Sequence, residues 1–131
     1  MAVGSTGTAG FEYFDSALPA QTAAQATQDY PVFVAPKACL ISAVSITPAT
    51  AVTGADTNSR NLNLDIPDGT EVANVDYASG TDEVTMTPRA LYSAAAGTAM
   101  AAGGIMAIES EKAGTGLALP NYLVRIKLQW K

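Results

Sequence analysis

The sequence predicts an all-β chain, an antiparallel β-sandwich or jelly-roll-like barrel with an extended N-terminal arm. Three observations predict it. Apolar and polar residues alternate with a period of two in "RNLNLDI" and, over a longer run, in "YLVRIKLQWK". Turn-forming residues recur about every ten positions, with "PDGT" at 67–70 the clearest. From Tyr30 onwards there are seven or eight short runs of strand-forming residues.

Residues 1–29 read as an arm and 30–131 as one sandwich domain. "MAVGSTGTAG" and "PAQTAAQATQD" are small and polar without a period, and between them sits the aromatic knot "FEYFD", with Phe11, Tyr13 and Phe14. Such flanks bury too little to offset their ordering entropy. "YPVFV" is β-rich, and Pro31 suits a strand start or edge. In "ACLISAVSIT" strict alternation puts Leu40, Val44 and Ile46 on one face and Cys39, Ile41 and Ala43 on the other, as in a strand covered on both sides. "RNLNLDI" turns Leu62, Leu64 and Ile66 inward and Asn61, Asn63 and Asp65 outward. "EVANVDYA" and "EVTMT" read as two further strands. "ALYSAAAGTAMAAGG" has helix-forming alanines broken by closely spaced glycines, so a turn or two of helix and an irregular strand both remain open. "IMAIES" is a strand, "KAGTG" a loop, and the closing run a half-buried strand with Tyr122, Val124, Ile126, Leu128 and Trp130 inward.

Composition argues against most chemistry. The 131 residues hold no His, so a Ser-His-Asp or Cys-His arrangement, an imidazole acid or base and the usual zinc sites are not expected. The single Cys39 lies in an apolar run and reads as a buried, inert thiol with no disulfide partner in the chain. "GTG" at 114–116 lacks the Lys-Ser/Thr of a phosphate-binding loop. Asp65, Asp68, Glu71 and Asp76 lie close in sequence, but their outward and turn positions suggest solvated acids rather than a glycosidase pair or a calcium site. We therefore expect no enzyme, no catalytic residue, no metal and no cofactor. A net charge of −5 disfavours nucleic acid and anionic membranes as partners. No window is apolar enough to span a bilayer, and the N-terminus lacks a secretory signal pattern. The protein is expected to be made and kept in a reducing compartment, or to leave it by lysis.

What remains is surface. Charged residues are only 15% of the chain, and much of its 48% apolar content is small Ala, which suggests a thin core completed by packing against neighbours. Arg125, Lys127 and Lys131 line the outward side of the last strand, either as solubility devices or as a docking stripe for an acidic partner. The long loop "PATAVTGADTNSR" carries no reactive group; its small residues, Ala55 and Thr57 among them, suit a contact or rim that neighbours approach closely.

The segments "VFVAPKACLISAVSITPATAVTGADTN" and "AAGGIMAIESEKAGTG", followed by a closing strand, resemble small decoration (cement) proteins on the heads of tailed bacteriophages. The likeness covers roughly residues 30 to 128 in texture and segment order, departs from the pattern at "AGGI", where an acid is expected after the Gly, and leaves the arm out. It implies a virion structural protein that binds the major capsid protein on the outer capsid surface, stabilises the mature shell and associates with itself, a trimer being favoured. Phe11, Tyr13, Phe14, Ala55, Thr57, Arg125, Lys127 and Lys131 are the candidate capsid or subunit contacts. The alternatives are a head-fibre, neck or tail component, and a carbohydrate-binding sandwich. The last needs exposed aromatics, for which Tyr92 is the one loop candidate.

Overall fold

The computed structural model describes residues 10–131. Eight strands follow one another: β1 (Glu12–Leu18), β2 (Gln28–Val34), β3 (Cys39–Pro48), β4 (Ser59–Asp65), β5 (Glu71–Asp76), β6 (Arg89–Met100), β7 (Ile105–Ala113) and β8 (Tyr122–Trp130). They form two four-stranded sheets, β1-β8-β3-β6 and β2-β7-β4-β5, antiparallel throughout. The pairing has a simple rule. The first strand pairs with the eighth, the second with the seventh, the third with the sixth and the fourth with the fifth. A long antiparallel ribbon wrapped until β8 meets β3 and β7 meets β4 gives this order, which is the eight-strand jelly roll.

The core lies between the sheets. β8 contributes Tyr122, Val124, Ile126 and Leu128, all inward and buried, and β4 contributes Leu62 and Leu64. Each such aliphatic side chain stabilises the fold by about 1.5–3 kcal/mol. The Pro67–Thr70 turn closes β4 onto β5. Asp68 and Gly69 both have positive φ, and Thr70 N–H donates to the Pro67 carbonyl at 3.2 Å, as a two-residue hairpin turn requires.

Three expectations need correcting, and one left open is decided. The register of β3 slips between Ile41 and Ala43, so Cys39 and Ile41 share the core face with Val44 and Ile46 instead of opposing them. "EVTMT" is not a strand. Glu83 makes a single bridge to Val52, and the chain then turns out, exposing Val84 and Met86. "ALYSAAAGTAM" is the irregular strand: between the pairs Ala43–Ser93 and Ile41–Thr98, residues 94–97 bulge against one residue of β3.

The third correction concerns the arm. Residues 1–9 lie outside the described residues, but 12–18 are not an appendage. β1 pairs along its whole length with β8, turns Phe14, Ser16 and Leu18 inward and buries Leu18 completely. The following connection is held by Arg60. This side chain shares the parity of Leu62 and Leu64, is fully buried, and donates from Nη2 to the carbonyls of Thr22 (3.3 Å), Ala23 (3.2 Å) and Gln25 (2.7 Å). Its Nε donates to Leu117 O at 3.0 Å and its Nη1 to Ser110 Oγ at 3.0 Å. Ser110 in turn donates to Gln21 Oε1. The boundary expected at residue 29 therefore cuts through a structure that is stitched across it.

Candidate docking face

β1 and β8 bring four sequence-predicted contact residues onto one surface, although more than a hundred positions separate the two strands in the chain. Their register sets Tyr13 opposite Lys127, Asp15 opposite Arg125 and Ala17 opposite Leu123. All of these point away from the core because Phe14 and Ser16 on β1, and Val124 and Ile126 on β8, point into it. Lys127 Nζ lies 4.3 Å from the centre of the Phe11 ring, and Arg125 Cζ lies 5.8 Å from that of Tyr13. Arg125 also grips Asp15 with both prongs, at 2.8 and 2.9 Å. That guanidinium holds the Asp15 carboxyl below the usual carboxylate range.

The apolar groups remain open to solvent: Phe11 is 47% exposed, Tyr13 58% and Leu123 46%. Tyr and Arg are the residue types that dominate binding energy at protein interfaces, because both offer broad apolar area with a polar tip. At the start of β1, Trp130 Nε1 donates to Glu12 Oε2 and Lys37 Nζ sits 5.1 Å over the indole. Lys131 follows directly, its N–H on Ala38 O at 3.1 Å. At the other end, Leu123 borders a shallow groove of about 260 Å³ lined by Thr47, Ala49, Met86 and Asn121. Met86 holds a left-handed backbone (φ 56°) that its N–H, donating to Pro48 O at 2.9 Å, helps to fix.

Three predicted contacts fall elsewhere. Phe14 faces inward, with ring centres 5.4 Å from Phe33 and 5.9 Å from Trp130, so it packs rather than docks. Ala55 and Thr57 lie in the β3–β4 connection, which is sewn to neighbouring loops instead of standing free. Gly54 N–H donates to Asp82 Oδ1 (2.9 Å), Ala55 N–H to Tyr77 O (3.0 Å) and Ser79 N–H to Asp56 Oδ1 (3.2 Å). Asn58 Oδ1 accepts from Thr115 N–H at 2.9 Å. Thr57 is exposed and Ala55 half-buried. The smallness of this loop has a local cause: a Cβ on Gly54 would stand 1.9 Å from Ala78 O.

The sequence reading missed a buried polar cluster. Glu83 Oε2 accepts from Tyr77 OH at 2.8 Å and from Arg89 Nε, and Tyr122 OH donates to Tyr77 OH at 3.0 Å. Burial pushes the Tyr122 phenol up to about 12 and moves Tyr77 in the same direction. Arg89 Nη2 also donates to Asp82 O at 3.1 Å, and the cluster ties the 77–89 segment down over the core. Among the described residues no three His, Cys, Asp or Glu side chains come together as a metal cage. The thiol of Cys39 is buried, and burial raises its pKa. Asp65 and Asp76 occupy outward strand positions, and Asp68 caps the turn, accepting from Ile105 N–H at 3.0 Å.

The arrangement on β1 and β8 is thus suited to recognition: aromatic rings backed by cations on a flat sheet face, beside a small apolar groove. No family model matches the chain, and neither the curated proteins nor the solved structures provide a match.

Proposed function

We propose that the protein is a structural component of a tailed-phage head, which binds the major capsid protein on the outer surface of the shell and stabilises the mature lattice. The observation that carries this reading is the convergence of Phe11, Tyr13, Arg125 and Lys127 into one exposed aromatic and cationic stripe. The jelly roll supplies a rigid two-sheet support for it. A protein that binds only the mature lattice stabilises that lattice by its differential affinity, and self-association on the shell adds effective concentration.

Density-gradient fractionation of the source lysate, with the chain quantified by mass spectrometry, tests the proposal. Banding with particles at a copy number near that of the shell protein is the expected result. Banding in a few copies assigns the chain to a head fibre, neck or tail instead. A chain that stays free at the top of the gradient refutes the virion reading.

One observation favours a second reading. Phe11 and Tyr13 are two exposed rings on a sheet face, the platform that a carbohydrate-binding sandwich needs. Retention on a glycan array that Tyr13→Ala abolishes is the result that favours it over the capsid reading.

A further inference from the structure

The two outer faces of the sandwich carry opposite charge. On the β2-β7-β4-β5 sheet the outward positions hold Asp29, Asp65, Glu71, Asp76, Glu109 and Glu111, with asparagines between them and no Lys or Arg. Asn63 donates to both Glu109 Oε1 (2.9 Å) and Glu111 Oε1 (3.1 Å), which holds two of these like charges together. Burial, with Glu109, Asp29 and Glu71 close by, raises the pKa of Asp65. On the opposite sheet the outward charges are Arg125 and Lys127, with Lys131 and Lys37 at one end, while Arg89 of β6 is already paired with Glu83. That sheet's two acids, Glu12 and Asp15, are already engaged by Trp130 and Arg125.

We infer that the protein docks through the outer face of the β1-β8-β3-β6 sheet onto an acidic protein surface, with the carboxylate face of the other sheet turned away to solvent. This rests on the shell-binding reading and adds the charge of the partner and the orientation on it. The separation of the faces makes the orientation possible in a chain of net charge −5. Packed sheets lie about 10 Å apart, which exceeds the Debye length of about 8 Å at physiological salt. The carboxylates of the far face are therefore largely screened from a surface that touches the near one. The cations, being at the contact, are not. In the reverse orientation six carboxylates would meet that surface directly.

Two measurements separate this inference from the reading beneath it. The first uses a poly-L-glutamate surface at physiological ionic strength, where the far face is screened, and the full chain. The wild type is expected to be retained, Lys127→Glu with Lys131→Glu to weaken retention about tenfold or more, and Glu109→Gln with Glu111→Gln to leave it within about twofold. Absent retention of the wild type, or indifference to the charge reversal, overturns the inference. The second is chemical footprinting on co-banding particles. Acylation of Lys127 should slow relative to the free chain while carbodiimide labelling of Asp76 and Glu111 does not. The opposite pattern overturns the orientation and leaves shell binding intact. A chain that never bands with particles refutes the shell reading, and the poly-glutamate result still decides whether this face takes an acidic surface.

Discussion

Replacing Arg60 by Met keeps most of the apolar stem and removes the guanidinium, so it measures what that group holds. Nε and Nη1 each make one hydrogen bond. The two protons of Nη2 are shared among three carbonyls, so the side chain makes about four full hydrogen bonds. At a net value of about 1 kcal/mol each, the upper figure is about 4 kcal/mol. Some of it is recovered, because the carbonyls of Thr22 and Ala23 belong to a surface connection that water can reach. Burial of the charge disfavours the guanidinium, lowering its pKa, and its removal also recovers a part. We expect Arg60→Met to cost about 2–3 kcal/mol, a large share of the 5–15 kcal/mol typical of a domain. With a urea m-value of about 1.5 kcal/mol/M, the midpoint falls by about 1.3–2 M. Limited proteolysis should show new cleavage between residues 19 and 27 before the rest of the chain is cut. A midpoint shift below about 0.5 M, with no new cleavage there, refutes the view that Arg60 fastens the β1–β2 connection.

Other substitutions test the neighbouring claims. Phe14→Ala should destabilise by about 2 kcal/mol and Tyr13→Ala by less than about 0.5 kcal/mol, since adjacent residues of β1 face the core and the solvent respectively; equal effects in thermal unfolding would contradict that placement. Gly54→Ala should lower the melting temperature by several degrees, about 4–8 °C per kcal/mol at the smaller end of domain size, because its methyl group meets the Ala78 carbonyl. Raising the pH should destabilise the fold through Tyr122. Below the ordinary phenol value of 10.0 it is neutral in both states; above it the unfolded chain ionises first, so stability falls from there until the folded value of about 12 is passed. The loss from Tyr122 is on the order of 2–3 kcal/mol, and Tyr122→Phe should make alkaline denaturation curves shallower while leaving the contribution of Tyr77, which is shifted the same way.

Much of the fold could be read from the sequence where one rule governed a whole element. β8 alternates without interruption, and Leu62, Leu64 and Ile66 face the core as the period of two requires. The failures occur where a single residue shifts that rule. One slipped position at Ser42 reverses the parity of half of β3, and no local signal in "CLISAV" marks it. β1 was hidden because its flanks are small and polar; only its partner β8 makes it a strand, and that pairing is not a local property. Arg60 was legible. Its inward parity followed from the same alternation that placed Leu62 and Leu64, and a charged residue at such a position was a signal of a buried staple. The docking stripe was half legible, since each strand offered its outward residues but the register that joins them belongs to the fold.

The pairing of the first strand with the eighth sets the timing of folding as the chain is made. β8 lies between β1 and β3, so neither can complete its ladder until the last strand has left the ribosome. Before then β1 is a lone strand with Leu18 uncovered, and β3 is paired on one side only by β6. Sheet β2-β7-β4-β5 is complete earlier, once β7 has emerged, but its inner face still lacks its cover. Such non-local closure belongs to folds that form in milliseconds to seconds rather than microseconds. The surface proposed to recognise a shell does not exist until β8 is in place, so an unfinished chain presents no docking stripe.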